Sequence, residues 1–198
     1  MSTELITKLR EMTGAGIMDC RNALKESDNN LEKACRILRE KGMASAVKKA
    51  GRTAKQGLIY SYIHGNGTLG VLVEVNCETD FVAKTEDFRI LVKEIAMQIA
   101  AVSPVYVSRA QVPESVLNGE KEIYKAQLRE EGKPENIWDK IIDGKIEKFY
   151  GQVCLYDQIY IRDSGGKETI KDLIAGAIAK IGENIIVKRF VRFKLGEE

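Results

Sequence analysis

A catalyst must show groups that move protons, attack an electrophile or hold a metal, and this chain of 198 residues shows few. Its one histidine, His64, stands beside a glycine-rich turn with nothing nearby to mark it as a general base. Glu78 and Asp80 are close enough in sequence to act as paired carboxylates, but two acids near a strand end are common without any chemistry. Cys20, Cys35, Cys77 and Cys154 lack C-x-x-C spacing and sit among apolar neighbours. They read as small buried hydrophobes of a reducing compartment, neither a zinc site nor a disulfide framework. Gly65-Asn66-Gly67-Thr68-Leu69-Gly70 spells G-x-G-x-x-G. A dinucleotide site needs a helix opening from the last glycine to receive the phosphate, and here strand-forming residues follow. Neither G-x-x-x-x-G-K-[ST], G-x-S-x-G nor H-E-x-x-H occurs. The expectation is therefore no catalytic residue, no metal, no cofactor and no enzyme activity.

A different kind of site lies in Glu74-Val75-Asn76-Cys77-Glu78-Thr79-Asp80-Phe81-Val82-Ala83-Lys84, which leaves an apolar alternating run and enters a helical one. A Phe beside an Asp at such a junction has two readings. Asp80 could cap the coming helix while Phe81 folds into the core, or Phe81 could be held outward for a partner. Thr85 is a second possible cap, and would leave residues 80–84 as an exposed turn.

The elements that must position this stretch follow from periodicity. Ser2 or Thr3 can cap a first helix with Leu5, Ile6, Leu9 and Met12 on one side, ended by Thr13-Gly14-Ala15-Gly16. Ile17, Cys20, Ala23 and Leu24 stripe a second helix. A third begins after Asn29, with Glu32 as its capping-box partner, and stops at Gly42. Residues 44–57 read as a linker, helical at first and flexible toward Gly51 and Gly57. Leu58–His64 and Leu69–Val75 form a β-hairpin, and Phe88, Leu91, Val92, Ile95 and Ile99 stripe a strong helix. From about 113 to 149 two antiparallel charged helices, broken at Gly132-Lys133-Pro134, make a projecting hairpin. Val153–Ile161 reads as strand, Ile170–Ile181 as helix, and Ile185–Leu195 as a closing strand alternating through Val187, Val191 and Phe193. The fold class is α+β: an N-terminal helical bundle with linker over 1–54, then an antiparallel-sheet core with flanking helices over 55–198.

Composition adds limits. At 44% hydrophobic and 30% charged, the chain is an ordinary globular one. Its net charge of +2 divides unevenly, with 12 Lys and Arg against 7 Asp and Glu up to residue 57 and 19 against 22 beyond it. The basic front suits nucleic acid or an acidic protein face, yet its helices contain no aromatic residue on which a base could stack. No run reaches the roughly 18 apolar residues of a membrane span and no signal-peptide core opens the chain, so a cytoplasmic location is expected.

Three segments carry a resemblance. Leu9-Arg10-Glu11-Met12-Thr13-Gly14-Ala15-Gly16-Ile17-Met18-Asp19-Cys20, the Glu74–Lys84 stretch, and Lys180-Ile181-Gly182-Glu183-Asn184-Ile185 resemble signature segments of bacterial translation elongation factor Ts. The resemblance implies a guanine nucleotide exchange factor for elongation factor Tu. It implies a ubiquitin-associated-type bundle docking on the partner's GTPase domain, with Ile17, Met18 and Arg21 near the contact. Asp80 and Phe81, flanked by Thr79 and Val82, match a pair inserted between helices of that domain beside its magnesium and phosphate site. Phe81 would then be an apolar wedge, and Asp80 would hold the loop or compete for polar partners. Longer members carry two core subdomains where this chain has one set of strands, so resemblance to the shorter members implies a homodimer. His64-Gly65 resembles part of the longer members' second subdomain, which makes His64 a candidate contact to elongation factor Tu or to the dimer mate. Exchange needs no acid or base: a protein that favours a distorted phosphate site weakens nucleotide binding by the factor that nucleotide weakens its own. The competing readings are a nucleic-acid- or ribosome-associated binding module using the basic helices, and an enzyme built on Glu78, Asp80 and His64.

Overall fold

The structure, a computed structural model, describes residues 3–197; the proposed cap Ser2 lies outside them. Two compact units are present, one formed by the described residues up to 97 with those from 171 onward, the other by 98–170.

The first unit opens with helices α1 (Thr3–Thr13), α2 (Ile17–Glu26) and α3 (Leu31–Lys49). Leu9, Cys20, Ala23, Leu24 and Ala34 are fully buried between them. Met12 and Ile17, expected in the inward stripes, are instead 59% and 55% exposed. Each lies next to the turn where the chain reverses at left-handed Gly14 (φ 66°), at the margin of a core too small to cover every apolar residue.

The start of α3 falls one residue later than expected. Asp28 and Asn29 adopt positive φ, which short polar side chains tolerate. Asn30 becomes the cap, its Oδ1 accepting from Lys33 N–H at 2.9 Å, so Glu32 is not in the capping-box position. Gly42 does not end the helix. It is buried where α3 crosses α8 (Ile170–Ile181), and an added Cβ would meet the Ala175 carbonyl and Ala179 Cβ at 3.7 Å. The residue that looked like a stop is a point of close approach. Arg39 pairs with the buried Asp172, and Lys49 Nζ donates to the Ile178 carbonyl at 3.2 Å. The expected flexible linker is also tied down, since Asn184 Nδ2 donates to the Arg52 carbonyl at 2.8 Å.

Strands β1 (Gln56–His64), β2 (Leu69–Cys77) and β3 (Ile186–Lys194) form an antiparallel sheet in the order β1-β2-β3. The G-x-G-x-x-G segment is the turn of the β1–β2 hairpin, with Gly65 and Gly67 at positive φ, and leads into a strand. Val71, Val73, Val75 and Cys77 point inward and are buried. Strand β3 does not alternate without a break. Glu74 pairs with Arg189 but Val75 with Val187, so Lys188 is an extra residue that switches the strand's inward face. Val187 is therefore buried while Val191 and Phe193 face outward. After β2 come a one-turn helix α4 (Asp80–Ala83) and then α5 (Glu86–Val102), which buries Phe88, Leu91, Val92 and Ile95.

In the second unit, α6 (Glu114–Glu130) and α7 (Trp138–Val153) form the expected helical hairpin, closed by Leu128, Ile142 and Ile146. The strand expected over 153–161 is absent. Only single bridges occur, Tyr106 with Cys154 and Ile159 with Thr169. Scattered backbone bonds to Tyr106, Val107 and Glu168 take the place of a partner strand, and side chains add to them: the buried Gln98 donates to the Ile159 carbonyl at 3.0 Å and accepts from Ile161 N–H at 2.9 Å, while buried Gln158 donates to the Gln152 carbonyl. The whole is α+β.

Candidate functional site

The turn between β2 and α5 is built on Thr79. Its backbone is extended and its Oγ1 accepts from Val82 N–H at 3.3 Å, so Thr79 caps α4 and Asp80 becomes the first helical residue. Thr85 Oγ1 in turn accepts from Phe88 N–H and opens α5. Of the two caps considered from sequence, Asp80 is thus replaced by its neighbour and Thr85 is retained. Phe81 is not a core residue: it is 78% exposed, whereas Phe88 is fully buried. Val82 is half-buried beneath the turn.

A four-residue helix does not hold itself together, and what holds this one is a carboxylate from elsewhere. Glu183 Oε2 accepts from the N–H groups of Glu78 and Thr79, both at 3.0 Å, and Oε1 accepts from the Thr79 hydroxyl at 2.6 Å. Glu78 returns the arrangement, its Oε1 accepting from Asn184 N–H at 2.7 Å with Arg52 beside it at 3.5 Å. Two turns distant in the chain thereby exchange carboxylates. Below them the Cys77 thiol donates to the Thr79 carbonyl at 3.1 Å, and burial with the nearby Glu183 charge pushes its pKa up to about 11. On the outside Lys84 Nζ lies 2.6 Å from Asp80 Oδ2 and holds the Asp80 carboxyl below its ordinary range. The Lys84 ammonium is also 6.0 Å from the centre of the Phe81 ring. Asp80 is thus ionised and exposed beside the ring.

Lys180, just before the Glu183 turn, passes Gly14: a Cβ added at Gly14 would stand 3.6 Å from Lys180 Cδ, while Lys180 Nζ pairs with Asp87 at 2.6 Å. The segment 180–185 therefore touches both the α1–α2 turn and the Thr79 turn. All three segments singled out in the sequence meet. Met18 is 60% exposed and Arg21 is exposed, both on α2 with Ile17. His64 is apart from this cluster. It ends β1 opposite Leu69, roughly 26 Å along the strand from the Gln56–Cys77 pair, and its Nδ1 lies 2.8 Å from the Tyr62 hydroxyl. Glu78, Asp80 and His64 thus share no site. Among the described residues no cluster of His, Cys, Asp or Glu could hold a metal, and no helix is long and apolar enough to cross a membrane.

Residues 10–197 match the family model described as Elongation factor TS. The chain belongs to the elongation factor Ts family. It is 59% identical over 197 residues to an elongation factor Ts of Caldanaerobacter subterraneus subsp. tengcongensis, covering 100% of this chain and 98% of that one. It is 57% identical to the elongation factor Ts of Thermotoga maritima, covering 100% and 97%, and 53% identical to that of Carboxydothermus hydrogenoformans, covering 100% and 90%. A member of the elongation factor Ts family is a translation elongation factor. The residues that sequence reasoning missed are Glu183 and Asn184, for which the Lys180–Ile185 segment is the one available signal.

Proposed function

We propose that the chain is a guanine nucleotide exchange factor that releases GDP from elongation factor Tu, acting in the cytoplasm and without catalytic chemistry of its own. The observation that carries this reading is Phe81, 78% exposed on a turn fixed by three hydrogen bonds to Glu183. A large aromatic left in water gains about 2 kcal/mol when a partner buries it. A wedge whose backbone is already ordered keeps most of that gain. Pushed between elements of the GTPase domain, Phe81 displaces the groups that hold magnesium and phosphate, and reciprocity makes the nucleotide leave. Asp80 supplies a fixed negative charge beside the wedge, and Ile17, Met18 and Arg21 on α2 form a second contact. Release of a fluorescent GDP from elongation factor Tu should accelerate in proportion to added protein; unchanged release overturns the reading.

The working form in this proposal is a homodimer. Ile59, Ile63, Leu72, Val191 and Phe193 lie on one outward sheet face and are 40% to 70% exposed, with the Glu74–Arg189 pair beside them. An apolar face of this kind is covered most simply by its own copy across a two-fold axis, where each residue meets apolar surface. Light scattering at micromolar concentration should give twice the chain mass, and a monomer of full exchange activity excludes the dimer.

A further inference from the structure

We infer that Glu183 is a positioning residue for exchange: it never meets the partner in this scheme but fixes the direction in which Phe81 is presented. The inference rests on the proposed role of Phe81. With 78% of its surface in solvent, Phe81 cannot be oriented by packing of its own side chain. Its direction must come from the backbone of α4, and an isolated turn of helix is too short to be stable. The Asp80–Lys84 pair is solvent-exposed and contributes little. The half-buried Val82, the Cys77 thiol on the Thr79 carbonyl and the Thr85 hydroxyl on the Val82 carbonyl hold the turn locally, and the tie from outside it runs through Thr79, whose hydroxyl both caps α4 through Val82 and donates to Glu183, with the Thr79 and Glu78 N–H groups on the second Glu183 oxygen. One carboxylate thus gathers three donors from Glu78 and Thr79, the two residues that precede α4. Glu183 is itself fixed through its neighbour, since Asn184 N–H is bound by Glu78 and the Asn184 amide donates to the Arg52 carbonyl.

The chemistry distinguishes two substitutions. Glu183→Gln keeps the reach and can keep the contacts, with its carbonyl oxygen toward the two N–H groups and its amide toward Thr79 Oγ1. Glu183→Ala removes both acceptor oxygens and with them all three hydrogen bonds. GDP release from elongation factor Tu should be measured for the wild type, E183A, E183Q, F81A and the E183A/F81A pair, with circular dichroism and melting curves to establish that each is folded. We expect F81A to slow catalysed release about tenfold or more and E183A to approach that loss. E183Q should stay near the wild-type rate, and the pair should be no slower than F81A alone, because Glu183 acts through Phe81. If F81A is slow but folded E183A is not, or if the two losses multiply in the pair, Glu183 is only a structural tie and the inference fails while the role of Phe81 stands. If F81A releases GDP as fast as wild type, the reading beneath the inference fails. Should E183A melt too low to assay, E183D shortens the arm by one methylene and is expected to lose part of the rate; wild-type release by E183D would overturn the inference equally.

Discussion

Phe81 and Phe88 stand at the start of two consecutive helices, α4 capped by Thr79 and α5 opened by Thr85, and their fates are opposite. Phe88→Ala should cost about 3–5 kcal/mol, because it empties a fully buried site. Phe81→Ala should change stability by no more than about 0.5 kcal/mol, and paired denaturation curves would show the contrast directly. Sequence put Phe88 in the stripe of the helix that follows the junction, but it left Phe81 with two readings, core anchor or outward wedge, because its Asp80 neighbour suits either. The deciding fact was Thr79 rather than Asp80 as the cap, which rests on the long-range contact to Glu183 that no local pattern encodes. The cysteines were legible for three of the four, and the exception is Cys35, which is half-buried at the edge of the front bundle beside Cys20. Cys20, Cys77 and Cys154 are buried, and burial pushes Cys77 and Cys154 up from 9.0 to about 11. A folded-state pKa raised above the unfolded one means that the native protein keeps its proton longer. The neutral-thiol contribution is therefore whole below about pH 9 and is lost as pH rises toward 11. Urea midpoints measured from pH 7 to 11 should fall over that window, and the fall should be shallower in Cys77→Ala; equal slopes would contradict the assignment.

At the scale of elements, the expectations that failed were those where a local signal was overruled by a neighbour. Gly42 ends a helix when nothing packs on it, but here α8 lies against it and α3 continues to Lys49. Gly42→Ala adds a methyl at ordinary contact distance and a better helix former, so it should be neutral or stabilising by up to about 1 kcal/mol. Gly42→Leu should lower the melting temperature by forcing the two helices apart. Gly57 is different: its φ is 146°, and an added Cβ would stand 2.2 Å from the Val75 carbonyl oxygen. Gly57→Ala should therefore destabilise by at least the roughly 1–3 kcal/mol of a strained backbone, measurable in the same melts. The bulge at Lys188 hid the outward face of the sheet, because Val187, Val191 and Phe193 look like one alternating row until the register shifts between them. The strand expected over 153–161 failed for the reverse reason: its backbone bonds scatter to residues 105–107 and 168–170 and to the Gln98 side chain, and none of these distant partners leaves a trace in local periodicity.

For the whole molecule, periodicity was enough for the α+β class, the three front helices, the hairpin of α6 and α7 and the two long amphipathic helices. Each has a strong stripe and clear punctuation. What periodicity could not show is that three distant segments meet around Lys180 and Glu183, which is why the site became readable only through the family resemblance and then through geometry. The outward apolar sheet face belongs to this scale as well. Phe193→Asp should yield a folded monomer by light scattering, since it places a charge in the middle of the proposed self-contact; an unchanged mass would place the second copy elsewhere. The most direct test of the central claim is stopped-flow release of fluorescent GDP from elongation factor Tu, with wild-type and Phe81→Ala proteins compared at the same melting temperature. The account predicts strong acceleration by the wild type and most of it lost in the variant. Equal acceleration by both would show that the exposed ring is not the working end of the protein.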